Sequence, residues 1–209
     1  MKKYNNPLLL NFYFFKHTAA KYDKIVHMKS IIKKRTWQAI YRLLDKVSPI
    51  SYDCGKLCGA ACCTYSGDMA EEDLGIYLYP GEDKIHDRKS NWLQWAVQQA
   101  EDFEFPDSWY GDVYFVRCNT PPKCIRKMRP LQCRTFPLTP HIDENGILSL
   151  IMNDEDLPYR CPLLDGDITL NEDFVKATYT VWAHLIRDPL IYDLIEMDSK
   201  ARYEVSDEK

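Results

Sequence analysis

The chain carries none of the short patterns that hold a nucleotide or build a nucleophile. It has no phosphate loop, no dinucleotide-binding glycine fingerprint and no serine-triad spacing. It has no excess of positive charge. The formal net charge is −4 at neutral pH, which argues against a nonspecific nucleic-acid binder, since that function needs a basic footprint. There is no internal repeat and no linker long enough to divide the chain. No apolar run is long enough to span a bilayer. The nearest candidate, Leu8 to Phe15, is interrupted by Asn11 and Tyr13.

What is present is ample material for a core. Of 209 residues, 45% are hydrophobic and 28% charged, the balance of a globular chain rather than a disordered one. The start of the chain imitates a secretory signal, with Met1-Lys2-Lys3, a short apolar run and then Thr18-Ala19-Ala20. The preferred reading treats residues 1–27 as an upstream extension or an incorrectly assigned start. The chain proper then runs over 28–209 and holds 22 basic and 30 acidic residues, a formal −8. If the segment were instead an export signal, the eight cysteines would be read as disulfides. Without export, the expected location is the cytoplasm and the expected state is thiol.

The fold class expected is α+β in one small domain, with short antiparallel strands, flanking helices and a cysteine-rich metal-binding core. An amphipathic helix is predicted from Ser30 to Val47, ended by Ser48-Pro49. A short helical turn begins at Glu71-Glu72-Asp73, and Leu74 to Tyr79 reads as a brief strand closed by Pro80-Gly81. Residues 82–90 read as loop, and Ser90 as the cap of a helix from Asn91 to Ala100. Val113 to Cys118 reads as a strand, and residues 120–134 as irregular because of Pro121, Pro122 and Pro130. Asp143-Glu144-Asn145-Gly146 between two apolar runs predicts a hairpin. Asn171 is the expected cap of a long helix broken at Asp188-Pro189, with a shorter helix over Leu190 to Ala201.

Four cysteines fall close together at Cys54, Cys58, Cys62 and Cys63, and four more follow at Cys118, Cys124, Cys133 and Cys161. Soft thiolates suit zinc, copper(I) or iron–sulfur clusters. In one continuous helix Cys54 and Cys62 would stand about 12 Å apart, too far for one ion with bonds of about 2.3 Å. A turn-forming ligand loop at Gly55 and Gly59, followed by a short helix, is therefore expected. Eight thiolates suit two four-thiolate zinc sites, or one iron–sulfur cluster with spare ligands. Taken singly, Cys63 or Cys161 also reads as a small buried hydrophobe, a reading that is weak for Cys54, Cys58 and Cys62 together. His141 could complete a site, although ordinary hydrogen bonding in the hairpin explains it as well, and His86 and His184 look unremarkable. Six basic residues and no acid occupy Arg117 to Arg134. Such a patch beside thiols would favour the thiolate form, would offer a contact surface, or would simply be solvated.

The combination Cys54-x3-Cys58-x3-Cys62-Cys63 with Arg129-Pro130-x2-Cys133-Arg134-x-Phe136-Pro137 resembles the YkgJ-like cysteine-cluster proteins, a zinc- or iron-chelating domain family. The resemblance covers roughly residues 52–164. It implies metal or iron–sulfur ligation by Cys54, Cys58, Cys62, Cys63 and Cys133, with Cys118, Cys124 and Cys161 as additions. A related cluster occurs in flagellin lysine N-methylases, but this chain is much shorter and shows no recognisable methyl-donor site. Three functional classes follow. The first is a protein whose partner is a metal ion, zinc or iron, physiological role open. The second is an iron–sulfur enzyme of redox or methyl-transfer chemistry. The third is a module contacting a partner protein through the basic loop 117–134. The cofactor expected is zinc, iron or an iron–sulfur cluster. No nucleic-acid partner and no membrane-spanning segment are expected.

Overall fold

The computed structural model describes residues 29–64, 75–119, 123, 125–154, 157–166 and 168–207. The expectations for residues 1–27, the acids at 71–73 and Cys124 lie outside the described residues. The class is α+β, with helices beside two small antiparallel sheets. Among the described residues no helix is long and apolar enough to cross a membrane.

Helix α1 (Lys34–Leu44) puts Trp37, Ile40, Tyr41 and Leu44 on its buried side, as the spacing of those residues dictates. It starts and stops a few residues inside the predicted span. Two single turns follow, α2 (Gly55–Cys58) and α3 (Ala61–Thr64). Strand β1 (Ile76–Tyr77) is a stub of the expected strand, extended by one hydrogen bond from the Leu78 N–H to the Tyr114 carbonyl.

Residues 91–100 correct the prediction: they hold strand β2 (Leu93–Gln99), not a helix. It lies antiparallel to β3 (Asp112–Cys118), from Leu93 opposite Cys118 to Gln99 opposite Asp112. The apolar positions from Trp92 to Val97 fit either period, so local pattern could not arbitrate. A seven-residue partner rich in branched and aromatic residues decided it, because strand preference follows cross-strand packing. The sheet order is β1-β3-β2.

Proline did not exclude helix at 120–134. A 3-10 turn spans Arg126–Met128, and α4 (Leu131–Thr135) begins immediately after Pro130, the one helical location that tolerates proline so close. Strands β4 (Leu138–Ile142) and β5 (Leu148–Met152) pair as the predicted hairpin, with Gly146 at φ +76° in its turn. Helix α5 (Glu172–Leu185) is capped by Asn171, whose side chain accepts from the Asp173 N–H at 3.0 Å. Helix α6 (Pro189–Asp207) follows the predicted break, but at 19 residues it is longer than α5, not shorter as expected, and runs past Ala201.

The main core joins α1, α5 and the start of α6 to the inner faces of both sheets, with Trp37, Trp182, Leu185, Ile191 and Leu194 almost fully enclosed. Burying side chains of this kind stabilises by about 1.5–3 kcal/mol each. Helix α6 is fixed to β4 by the Ile142 N–H donating to Ser199 Oγ at 2.9 Å. A smaller apolar cluster of Ile50, Leu163 and Cys161 lies apart, with Cys54, Leu57, Phe136 and Tyr159 packed against it.

Candidate metal centre

The cysteine loop is not a continuous helix. Gly59 at φ +65° and Ala60 at φ +59° turn the chain left-handed between α2 and α3. For alanine this conformation costs roughly 1–2 kcal/mol. The break replaces the long helical spacing of Cys54 and Cys62 with a fold-back, and the N–H of Ala60 closes it by donating to the Gly55 carbonyl at 2.9 Å.

Three separate stretches deliver thiols to one neighbourhood. The loop supplies Cys54, Cys58, Cys62 and Cys63, helix α4 supplies Cys133, and the chain after β5 supplies Cys161. Their mutual influence is electrostatic and traceable. Cys62 feels Cys63, Cys133 and Cys54, Cys54 feels Cys161, and Cys161 feels Cys58. Tyr159 packs against the same small apolar cluster as Cys161 and Cys54. Burial raises its pKa, and Cys62, Cys161, Cys133 and Cys63 add to the rise. Cys54, Cys58, Cys62, Cys63 and Cys161 are free thiols. Cys118 ends β3 opposite Leu93 and packs on the separate cluster of Leu78, Trp92, Leu93 and Val116.

The closest contact is between neighbours, with Cys62 Sγ and Cys63 Sγ 3.8 Å apart. They behave as one acid. Cys62 keeps its proton and is pushed up chiefly by its hydrogen bond to Cys63, then by burial. Cys63 is lowered to about 6, first by accepting that hydrogen bond and then by the nearby Arg129 charge. Burial raises Cys54 and Cys161.

The basic stretch is largely internal bracing. Arg126 and Arg129 reach Asp53 Oδ1 at 3.9 and 4.0 Å, beside the first cysteine, and Arg126 also donates to Ser48 Oγ at 2.8 Å. Burial and the Asp53 charge raise the Cys54 pKa, and the two arginines oppose that rise without reversing it. Arg134 lies over the Tyr41 ring at 4.1 Å and donates to Asp45 at 2.8 Å, to the Arg129 carbonyl at 2.7 Å and to the Lys127 carbonyl. It clamps α4, and with it Cys133, onto α1. His141 makes an ordinary hydrogen bond with Tyr203 at 2.9 Å, and His184 is exposed on α5.

His86 is not an unremarkable loop histidine. It is buried against Tyr41, and the loop expected at 82–90 holds a 3-10 turn over Glu82–Ile85. Glu82 is wholly enclosed and accepts from the Tyr41 hydroxyl, from the Leu131 N–H at 2.6 Å and from the Tyr79 N–H at 3.0 Å. The single Tyr41 proton goes to Glu82, so the 3.0 Å contact with His86 Nε2 has the histidine as donor. Burial and the Glu82 charge hold the Tyr41 pKa well above that of an ordinary tyrosine. This carboxylate joins α1, the end of β1 and the start of α4. Nothing in its sequence neighbourhood announces it, because a glutamate after Pro80-Gly81 normally faces water.

The donor chemistry fits a thiophilic ion. The 3.8 Å between Cys62 and Cys63 also matches the edge of a tetrahedron with metal–sulfur bonds of about 2.3 Å. As placed, the thiols do not close a coordination polyhedron. Among the described residues no three of His, Cys, Asp or Glu stand close enough together to hold an ion. No protein-family model, curated protein or solved structure matches this chain.

Proposed function

We propose that this chain binds a thiophilic metal, zinc or iron, including iron in an iron–sulfur cluster, through the cysteines gathered round Tyr159. The observation that carries the reading is that thiols from three distant stretches, Cys62 and Cys63, Cys133 and Cys161, all act on the Tyr159 hydroxyl, with Cys54 packed on the same small cluster as Cys161 and Tyr159. A lone buried cysteine is ordinary packing. Of the six cysteines in these stretches only Cys161 is buried, so filling a core does not account for the other five. A bound ion would tie the cysteine loop to α4 and to the chain after β5. The four-cysteine loop with the Arg129-Pro130-x2-Cys133 stretch supports the same assignment through its resemblance to the YkgJ-like proteins.

The test is anaerobic purification of the full chain, with metal and acid-labile sulfide analysis and a visible spectrum. Zinc without colour, or iron with sulfide and broad absorption near about 400 nm, is the expected result. Cys58→Ser and Cys133→Ser should each lower the metal content and the melting temperature. Unchanged stoichiometry and melting in both variants, or disulfides in place of metal, would overturn the reading.

A further inference from the structure

Strand β2 forms one edge of the three-stranded sheet, and among the described residues no strand pairs with its outer side. Exposed edges are normally guarded by lysine, proline or a bulge. This one is not: Leu93-Gln94-Trp95-Ala96-Val97-Gln98-Gln99 contains no charge, no proline and no glycine. Its middle is open, with Val97 52% exposed. Charges lie just beyond the strand at both ends, uniformly acidic only at the far end. Asp87, Arg88 and Lys89 precede the strand, Arg88 being paired with Asp83 at 3.3 Å and lying over the Trp95 and Tyr114 rings, while Glu101, Asp102 and Glu104 follow it; Lys89 and the three trailing acids are exposed.

We infer that β2 pairs antiparallel with β2 of a second copy of this chain, about a two-fold axis at Ala96. Two copies related in this way lay Lys89 of one between Asp102 and Glu104 of the other, at both ends at once. A parallel partner would bring like charges together. Within the strand, Trp95 meets the second copy's Val97, and Gln94 meets the second copy's Gln98. These are an aromatic–branched pair and an amide pair, both favourable across antiparallel strands. The two sheets become one, and the unpaired backbone groups of the outer edge find partners. This assignment is independent of the metal centre.

Sedimentation of the full chain from about 1 to about 500 µM should show a reversible dimer that weakens as salt is added. Lys89→Glu and Asp102→Lys should each weaken association about tenfold, because each replaces two symmetry-related attractions by repulsions. The Lys89→Glu/Asp102→Lys double variant should restore it, which no misfolded protein could do. Val97→Lys should leave a monomer. A wild-type chain that stays monomeric throughout overturns the inference. So do variants that dimerise like wild type, or a double variant that fails to recover.

Discussion

At the scale of single residues, Glu82 shows how much of this structure hangs on one enclosed carboxylate. Two backbone N–H groups and one hydroxyl converge on it, from three different parts of the chain. Truncation would leave all three donors buried and unpaired, which costs more than the bonds themselves contribute. Glu82→Ala should therefore destabilise by about 3 kcal/mol or more, read as the shift in a urea midpoint. Glu82→Gln, which keeps one acceptor oxygen, should lose less. A loss under about 1 kcal/mol in the alanine variant would show that the network contributes little. The sequence offered no sign of this role. Burial of Glu82 is decided by Tyr41, forty-one positions upstream, and by Leu131, forty-nine downstream.

At the scale of elements, the signals around the last helices and the hairpin turn were legible, while the Ser90 cap, the helix-excluding prolines and the pairing of β2 were not. Asn171, the Asp188-Pro189 break and the Asn145-Gly146 turn act within a few residues, so local chemistry suffices to read them. Asp188 does more than stop a helix. It is fully buried, accepts from the Leu190 N–H at 3.1 Å at the start of α6, and holds Ser30 Oγ and the Ile31 N–H at 2.7 Å each. Asp188→Ala removes a cap and unties the strand of chain leading into α1. A destabilisation of about 2 kcal/mol is expected, with faster amide exchange over residues 30–33 as the local signature. Equal exchange there in both proteins would contradict the tie. The opposite lesson is β2, where glutamines favour helix, Trp95 and Val97 favour strand, and only β3 resolved the choice.

At the scale of the whole molecule, the proposed ion would be a crosslink between parts that otherwise share a small apolar cluster. Its contribution must depend on pH in one direction. Cys54, Cys62 and Cys161 have raised pKa values and so are protonated at neutral pH. Ligation requires thiolates, so binding releases protons and weakens as pH falls. The metal-loaded protein should thus melt at a higher temperature than the chelator-stripped protein at pH 8. The gap should shrink as pH is lowered towards about 5. A gap that stays constant with pH would argue that thiols are not the ligands.

By itself the sequence determined the α+β class, the hairpin, the cap and break of the last helices, and the density of cysteines. All of these are set by short-range spacing and composition. Only the tertiary structure decided that 93–99 is an edge strand, that Glu82 and His86 are interior, and that Arg134 braces α4. The same holds for the packing of Cys54 and Tyr159 against the cluster that contains Cys161. The physical reason is common to them: each depends on what a residue meets from a distant stretch, and burial or pairing by a remote partner outweighs local preference.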